Sequence, residues 1–368
     1  MKDIKILTFH NAENYGATLQ AYALKETLKK LNTNPKFVNY INKNILKDYK
    51  LIRTNSFKSF FSSLWFFKRN LKRKNSFKGY INKYLDGTSK KYYSKEDIER
   101  DVKQGDTYIS GSDQIFNPVL THGLSDVYTL NFGKDTTDVT KIVYGASVGN
   151  EELLKKHKED FFNKLQSVDL LSVREESVIA PLSKITNREV EKVLDPTLLL
   201  GKENWDKLIL ENKVTSLQNK KYILVYTLFE NDEITKIANY LSEKTGLKIV
   251  HFRKYNAYNN ELTSLYSKGP VDFINAFKHA EYIVTNSFHG LVFSIIFERK
   301  FYAVMPKERA GRLKDLIDML SLNSRSVSSL EDVQALDIDE QIDYNKVKEM
   351  LDIEKDKSIE YLKKGLTK

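Results

Sequence analysis

The chain has 368 residues, 41% of them hydrophobic and 29% charged, with no cysteine and a formal net charge of +10. That composition belongs to a soluble globular protein long enough for two cores of roughly 150–200 residues each, and it excludes disulfides, thiolate metal ligands and a cysteine nucleophile. No run of about 18 apolar residues occurs, and the opening Met1–Leu7 reads as a short strand rather than a signal peptide, so a cytoplasmic protein is expected.

The positive charge is local. Between Lys43 and Lys91 lie 14 Lys or Arg against Asp48 and Asp86 alone, and the rest of the chain is slightly acidic. A nucleic-acid partner is not expected, because no second basic face or reading motif accompanies the stretch.

In chain order, Ile4, Ile6 and Leu7 form an apolar β run. Ala17, Ala21, Leu24, Leu28 and Leu31 recur at helical spacing, and Phe37–Tyr40 starts a second strand. Further strands are predicted to end at Tyr108–Ser110, Ile142–Tyr144, Leu170–Val173 and Val193–Leu194. A second series runs through Tyr222–Tyr226, Lys248–Phe252, Tyr282–Val284 and Phe301–Val304. Strands alternating with helical patterns predict parallel sheets wrapped by helices. The expected fold is therefore α/β, with two Rossmann-like domains facing a cleft as in glycosyltransferase-B-like enzymes. The domains are expected at residues 1–205, which include the basic aromatic segment 43–91, and at 220–330. The polar segment 201–219 reads as a linker and 340–368 as a C-terminal helix.

The polar loops after the strands are the expected site, because ligands of open α/β sheets bind beyond the strands' carboxyl ends. The sharpest is Thr285-Asn286-Ser287-Phe288-His289-Gly290, set between an apolar strand and an apolar helix. A histidine there can transfer a proton near neutral pH, and the helix start beside it attracts an anion. The alternative is a histidine that merely packs or caps the helix. Asn14, Tyr15 and Gly16 precede the first long helix and offer a tight turn, a close backbone approach and a phenol hydroxyl, although turn chemistry alone also explains Gly16. In Gly111-Ser112-Asp113-Gln114, Asp113 either accepts a proton from a substrate hydroxyl or caps a helix. Arg174 closes a buried strand, where a cation needs an anion: a ligand's carboxylate or phosphate, or else Glu175, Glu176 or Asp195. Lys307, Arg309 and Arg312 are cations that either meet a phosphate or form a solvated charge run. In the basic stretch, Phe57, Phe60, Phe61, Trp65, Phe66 and Phe67 alternate with cations in a pattern suited to an anionic membrane surface or to ordinary helix packing.

Taken together, Asn14-Tyr15-Gly16-Ala17, Gly111-Ser112-Asp113-Gln114, Tyr144-Gly145-Ala146-Ser147, Ser172-Val173-Arg174-Glu175, Leu194-Asp195-Pro196-Thr197 and Thr285 to Gly290 resemble the polysaccharide pyruvyl transferase family, in the family's order. The resemblance implies phosphoenolpyruvate as donor substrate with no other cofactor and no metal. It also implies a sugar acceptor, expected to be undecaprenyl-diphosphate-linked, and a product destined for a surface glycan such as capsule or exopolysaccharide. It casts His289 as general acid and arginines as holders of the donor's carboxylate and phosphate. Some family members carry Arg two residues before that histidine, where this chain has Ser287. Either Arg174, Arg309 or Arg312 then supplies the charge, or the donor differs. Two rival readings are a nucleotide-sugar-dependent glycosyltransferase of the same fold and a non-catalytic glycan-binding scaffold.

Overall fold

A computed structural model describes residues 1–42, 65–255, 258–305 and 311–367. Lys43 to Leu64, the first part of the 43–91 stretch expected to meet a membrane, and Lys307 and Arg309 lie outside the described residues. The strands are β1 (Lys2–Leu7), β2 (Thr33–Tyr40), β3 (Gly87–Tyr92), β4 (Thr107–Ser110), β5 (Thr140–Ala146), β6 (Leu170–Val173), β7 (Glu191–Lys192), β8 (Tyr222–Tyr226), β9 (Lys248–His251), β10 (Glu261–Ser264), β11 (Tyr282–Thr285), β12 (Lys300–Val304) and β13 (Ser326–Val327).

They form two sheets, ordered β3-β2-β1-β4-β5-β6-β7 and β10-β9-β8-β11-β12-β13, and every pairing is parallel. The central strands read as continuous apolar runs because helices cover both their faces. β5, β6, β8 and β11 are buried at every position. In each sheet the chain winds outward in one direction and then reverses, between β1 and β4 in the first and between β8 and β11 in the second. Such a reversal opens a crevice at the carboxyl edge.

Two compact units result. One holds residues 1–60, 78–200 and 353–368, and the other holds 61–77 and 201–352. The segment read as a linker contains the helix Lys202–Glu211, which belongs to the second unit. Trp205, Leu208 and Ile209 fall at i, i+3 and i+4 and are buried, with the Trp205 ring edge-on to Phe293 at 5.1 Å. Its amphipathic spacing outweighs the Lys- and Asn-rich composition that suggested a linker.

The C-terminal helix Tyr344–Leu366 is divided at Ile353. In the second unit Tyr344 donates its hydroxyl to the Arg299 carbonyl at 2.5 Å. In the first, the Tyr361 hydroxyl donates to the buried Val143 carbonyl at 2.7 Å and Ser358 Oγ accepts the Leu194 amide at 2.9 Å.

Candidate functional site

In the second unit, Thr285 ends β11 and its hydroxyl donates to the Tyr226 carbonyl at the end of β8, 2.7 Å away. The same oxygen accepts the Ser287 amide at 3.1 Å. Asn286 reaches further across the reversal. Its Oδ1 accepts the Leu228 amide at 2.9 Å and its Nδ2 donates to the Phe229 carbonyl at 3.1 Å. One side chain therefore replaces the ladder hydrogen bonds that end with the strands, and it fixes the loop after β8 against the turn after β11. Asn286 thereby positions the turn that leads to His289.

Ser287 then caps the helix Phe288–Ile296, its Oγ accepting the Gly290 amide. Gly290 must be glycine here, since a Cβ would stand 2.1 Å from Thr285 Oγ1, an atom already committed to Tyr226. The helix is buried along its whole length, which explains its uniformly apolar sequence. His289 lies in its first turn and is 8% exposed, with its ring edge-on to Phe288 at 5.3 Å. Arg312 places its guanidinium 5.7 Å from the Phe288 ring centroid, within reach of a cation–π contact. Ser287, Phe288, His289, Gly290 and Arg312 thus form one local group at the helix start, which carries the positive end of the helix dipole. Arg253, on the loop after β9, adds a cation at the same sheet edge, where it donates to Glu230 at 3.0 Å.

The first unit carries a matching arrangement at the β1/β4 reversal. Gln20 is fully buried; its Nε2 donates to Thr8 Oγ1 at 2.9 Å and its Oε1 accepts the Ser112 amide at 3.1 Å. Thr8 Oγ1 donates in turn to the Ser112 carbonyl at 3.3 Å. Ser112 Oγ donates to the Gly145 carbonyl at 2.7 Å, so the loops after β1 and β4 and the end of β5 form one hydrogen-bonded assembly. Gly111 is obligatory within it: its φ is 130°, and a Cβ would meet the Tyr144 carbonyl oxygen at 2.0 Å. Asn14 caps the helix Tyr15–Lys30 through the Ala17 amide at 3.1 Å, while Tyr15 and Gly16 are buried within the helix start.

Arg174 lies 5% exposed beyond β6 and forms an ion pair with Asp195, whose Oδ1 also accepts the Thr197 amide at 2.9 Å. Asp113 Oδ1 stands 3.7 Å from the same guanidinium. Of the three carboxylates that could have braced Arg174, the remaining two are engaged elsewhere: Glu175 accepts from Ser147 Oγ and Glu176 pairs with Lys192 at 3.0 Å. Burial disfavours the guanidinium's charge, but Asp195, Asp113 and Glu175 together hold its pKa above the ordinary arginine value. Arg174 therefore remains charged and fixes the Asp113 carboxylate near the loop assembly.

His10 also sits at this edge, stacked on Phe37 at 4.9 Å. Burial pushes its pKa down to about 4, against a contact with the Thr8 carbonyl that raises it, so the ring is neutral at neutral pH. That makes it a packing group and a poor acid.

The sequence model of the polysaccharide pyruvyl transferase family matches residues 14–308. The chain belongs to that family. The matched region runs from the start of the first long helix past β12 and contains the loops after β4, β5, β6 and β11, so this polysaccharide pyruvyl transferase family member is a transferase, with a pyruvyl donor and a sugar acceptor as its general partners. No curated protein matches the chain in sequence. Among solved structures, a UDP-GlcNAc 2-epimerase from Neisseria meningitidis, solved with UDP-GlcNAc bound, is similar in fold. The TM-score is 0.50 at 9% identity, over 97% of this chain and 94% of that one. The wall teichoic acid polymerase TagF gives a TM-score of 0.48 at 13% identity, covering 96% of this chain and 83% of that one. A Klebsiella pneumoniae protein gives 0.39 at 13%, covering 86% and 97%. With the epimerase, the strand orders identify a glycosyltransferase-B-like α/β fold with two parallel sheets.

Asp195→Ala is expected to destabilise the protein by about 3 kcal/mol, since a buried guanidinium then loses its main counter-charge. Urea unfolding measures this, and a variant as stable as the parent would show that Asp195 does not hold Arg174.

Proposed function

We propose that the protein transfers the pyruvyl unit of phosphoenolpyruvate to a sugar and closes it into a cyclic ketal. The observation that carries this reading is His289 at the start of a buried helix, next to Phe288 on whose ring Arg312 lies, in a chain whose sequence matches the family model over residues 14–308. His289 is the general acid. It delivers a proton to the methylene carbon of phosphoenolpyruvate, whose double-bond electrons form the new C–H bond and leave the adjacent carbon cationic. An acceptor hydroxyl bonds to that carbon, and Asp113 takes the hydroxyl's proton. Phosphate then leaves with its bonding electrons, and a second hydroxyl bonds to the carbon it vacates, passing its proton to the departing phosphate and closing the ketal. The Phe288–Ile296 helix start and Arg312 stabilise the donor's carboxylate and the departing phosphate, which is how the chain makes up for Ser287 in the position where some relatives have arginine. The acceptor is a lipid-linked sugar of undecaprenyl-diphosphate type, and the product enters a bacterial surface glycan.

His289→Gln removes the transferable proton while keeping a polar side chain of similar size. Phosphate release from phosphoenolpyruvate with a panel of lipid-linked sugars is expected to fall by roughly 10²–10⁴-fold, with phosphoenolpyruvate affinity by calorimetry little changed. Full release by the variant, or a parent protein that binds a nucleotide sugar and ignores phosphoenolpyruvate, would overturn the reading.

We further propose that the helix Phe67–Tyr84 and the residues before it bring the enzyme to an anionic membrane surface. Among the described residues no helix is long and apolar enough to cross a membrane. Trp65 is 85% exposed, Phe67 and Leu71 are partly exposed, and Lys68 and Lys72 are exposed beside them. The helix's arginines are held within the second unit: Arg69 donates to the Lys254 carbonyl at 3.0 Å and Ser264 at 2.8 Å, and Arg73 to the Tyr266 carbonyl at 3.0 Å. The lysines and exposed apolar groups form the outward face, a combination suited to headgroup depth. Lys68→Glu/Lys72→Glu is expected to weaken sedimentation with phosphatidylglycerol vesicles by about tenfold or more. Equal sedimentation of parent and variant would contradict this role.

A further inference from the structure

A pocket of about 260 Å³ opens in the first unit at the carboxyl ends of β1, β2 and β3. Its walls come from Thr8, Phe9 and Asn11 after β1, from Asn39 and Tyr40 at the end of β2, and from Tyr128 beneath. Lys91 of β3 stands at its edge. It is smaller than the roughly 300–1,000 Å³ of sites for drug-sized ligands, which limits it to a single ring or a compact polar group.

The lining narrows the chemistry further. Phe9 and Tyr40 both meet Tyr128 edge-on, with centroids 5.1 and 5.5 Å apart, so the apolar wall is a fixed aromatic cluster. Asn11 Nδ2 donates to Asn39 Oδ1 at 3.3 Å, which sets two amides side by side at the polar wall. An amide carries both donors and acceptors, as the hydroxyl of a sugar does. Burial raises the Tyr40 phenol pKa, opposed by a hydrogen bond with Ser125, so that hydroxyl stays protonated. Lys91 is the one charged residue in the described lining. A single exposed ammonium does not suit a small polyanion such as phosphoenolpyruvate, but aromatic walls with paired amides suit a hydroxylated ring with C–H faces.

The pocket is also tied to the proposed base. Thr8 lines it, and Thr8 Oγ1 donates to the carbonyl of Ser112, the residue before Asp113. We infer that this pocket receives a pyranose ring of the acceptor, held between the Tyr40–Tyr128 rings and the Asn11–Asn39 amides with Lys91 at its rim. This inference rests on the proposed sugar acceptor and adds where that sugar is recognised.

Saturation-transfer NMR with the methyl glycosides of glucose, galactose, mannose and N-acetylglucosamine tests it, with phosphoenolpyruvate binding titrated on the same samples. At least one glycoside is expected to receive saturation from the parent protein. Asn39→Leu is expected to lower its affinity by about fivefold or more, the equivalent of one lost hydrogen bond, and to leave phosphoenolpyruvate affinity unchanged. Asn11→Ser gives the same result and serves where Asn39→Leu does not fold. Transfer to none of the four glycosides, or transfer unchanged in both variants, overturns the pocket assignment. A parent that binds glycosides but not phosphoenolpyruvate keeps the pocket and sinks the donor; one that binds phosphoenolpyruvate but no glycoside sinks the pocket alone.

Discussion

The side chains of Thr285 and Asn286 tie the exit of β11 to the exit of β8, and the position of His289 depends on that tie. Parallel strands end at a common edge, and beyond it the backbone has no ladder partner. A loop that leaves there stays ordered only where side chains supply the missing hydrogen bonds. Thr285 and Asn286 do this across the reversal of strand order, so the helix that follows starts at a defined place with His289 in its first turn. Gly290 lets the helix approach Thr285 closely enough for the arrangement to exist.

The first unit solves the same problem with different residues. Gln20, Thr8 and Ser112 join the exits of β1 and β4, and Ser112 carries the connection on to Gly145 of β5. The electrostatics differ as well. Here a buried arginine is neutralised from within the protein by Asp195, with Asp113 nearby. In the second unit the cation Arg312 lies over an aromatic ring at the helix start. The internal ion pair holds its charge within the protein, whereas Arg312 adds a cation to the positive end of the helix dipole. The proposed reaction assigns the donor to the helix start of the second unit and the proton acceptor to the Asp113 carboxylate of the first.

Much of this was legible from residue order. Buried parallel strands read as apolar runs, so β1, β2, β4, β5, β6, β8, β9, β11 and β12 were visible, and the polar loops after them marked the crevices. The edge strands β3, β10 and β13 were not, because Gly87–Tyr92 is largely exposed, Glu261–Ser264 is half-buried throughout, and neither carries an apolar pattern. The last strand of the first sheet lies at Glu191–Lys192, with the expected Val193 continuing as a single backbone bond to Val173. The helix Lys202–Glu211 was hidden by its polar composition. The sequence left the partner of Arg174 open among several acids, since Glu175 and Glu176 adjoin it in order and only folding brings Asp195, 21 residues on, alongside. The role of Asn286 was masked by its neighbour: its contacts run to Leu228 and Phe229, nearly 60 residues earlier. Asn39, Tyr40 and Lys91 gave no signal at all, because each belongs to a strand and only the parallel register of β1, β2 and β3 gathers them.

The central claim is that a protein acid protonates the donor's methylene carbon, and running the transfer in heavy water examines it directly. The transferred group should appear as a ketal whose methyl carries one solvent-derived deuterium per turnover, read by mass spectrometry of the purified product. A transferred group that keeps its methylene double bond and carries no deuterium would contradict the account.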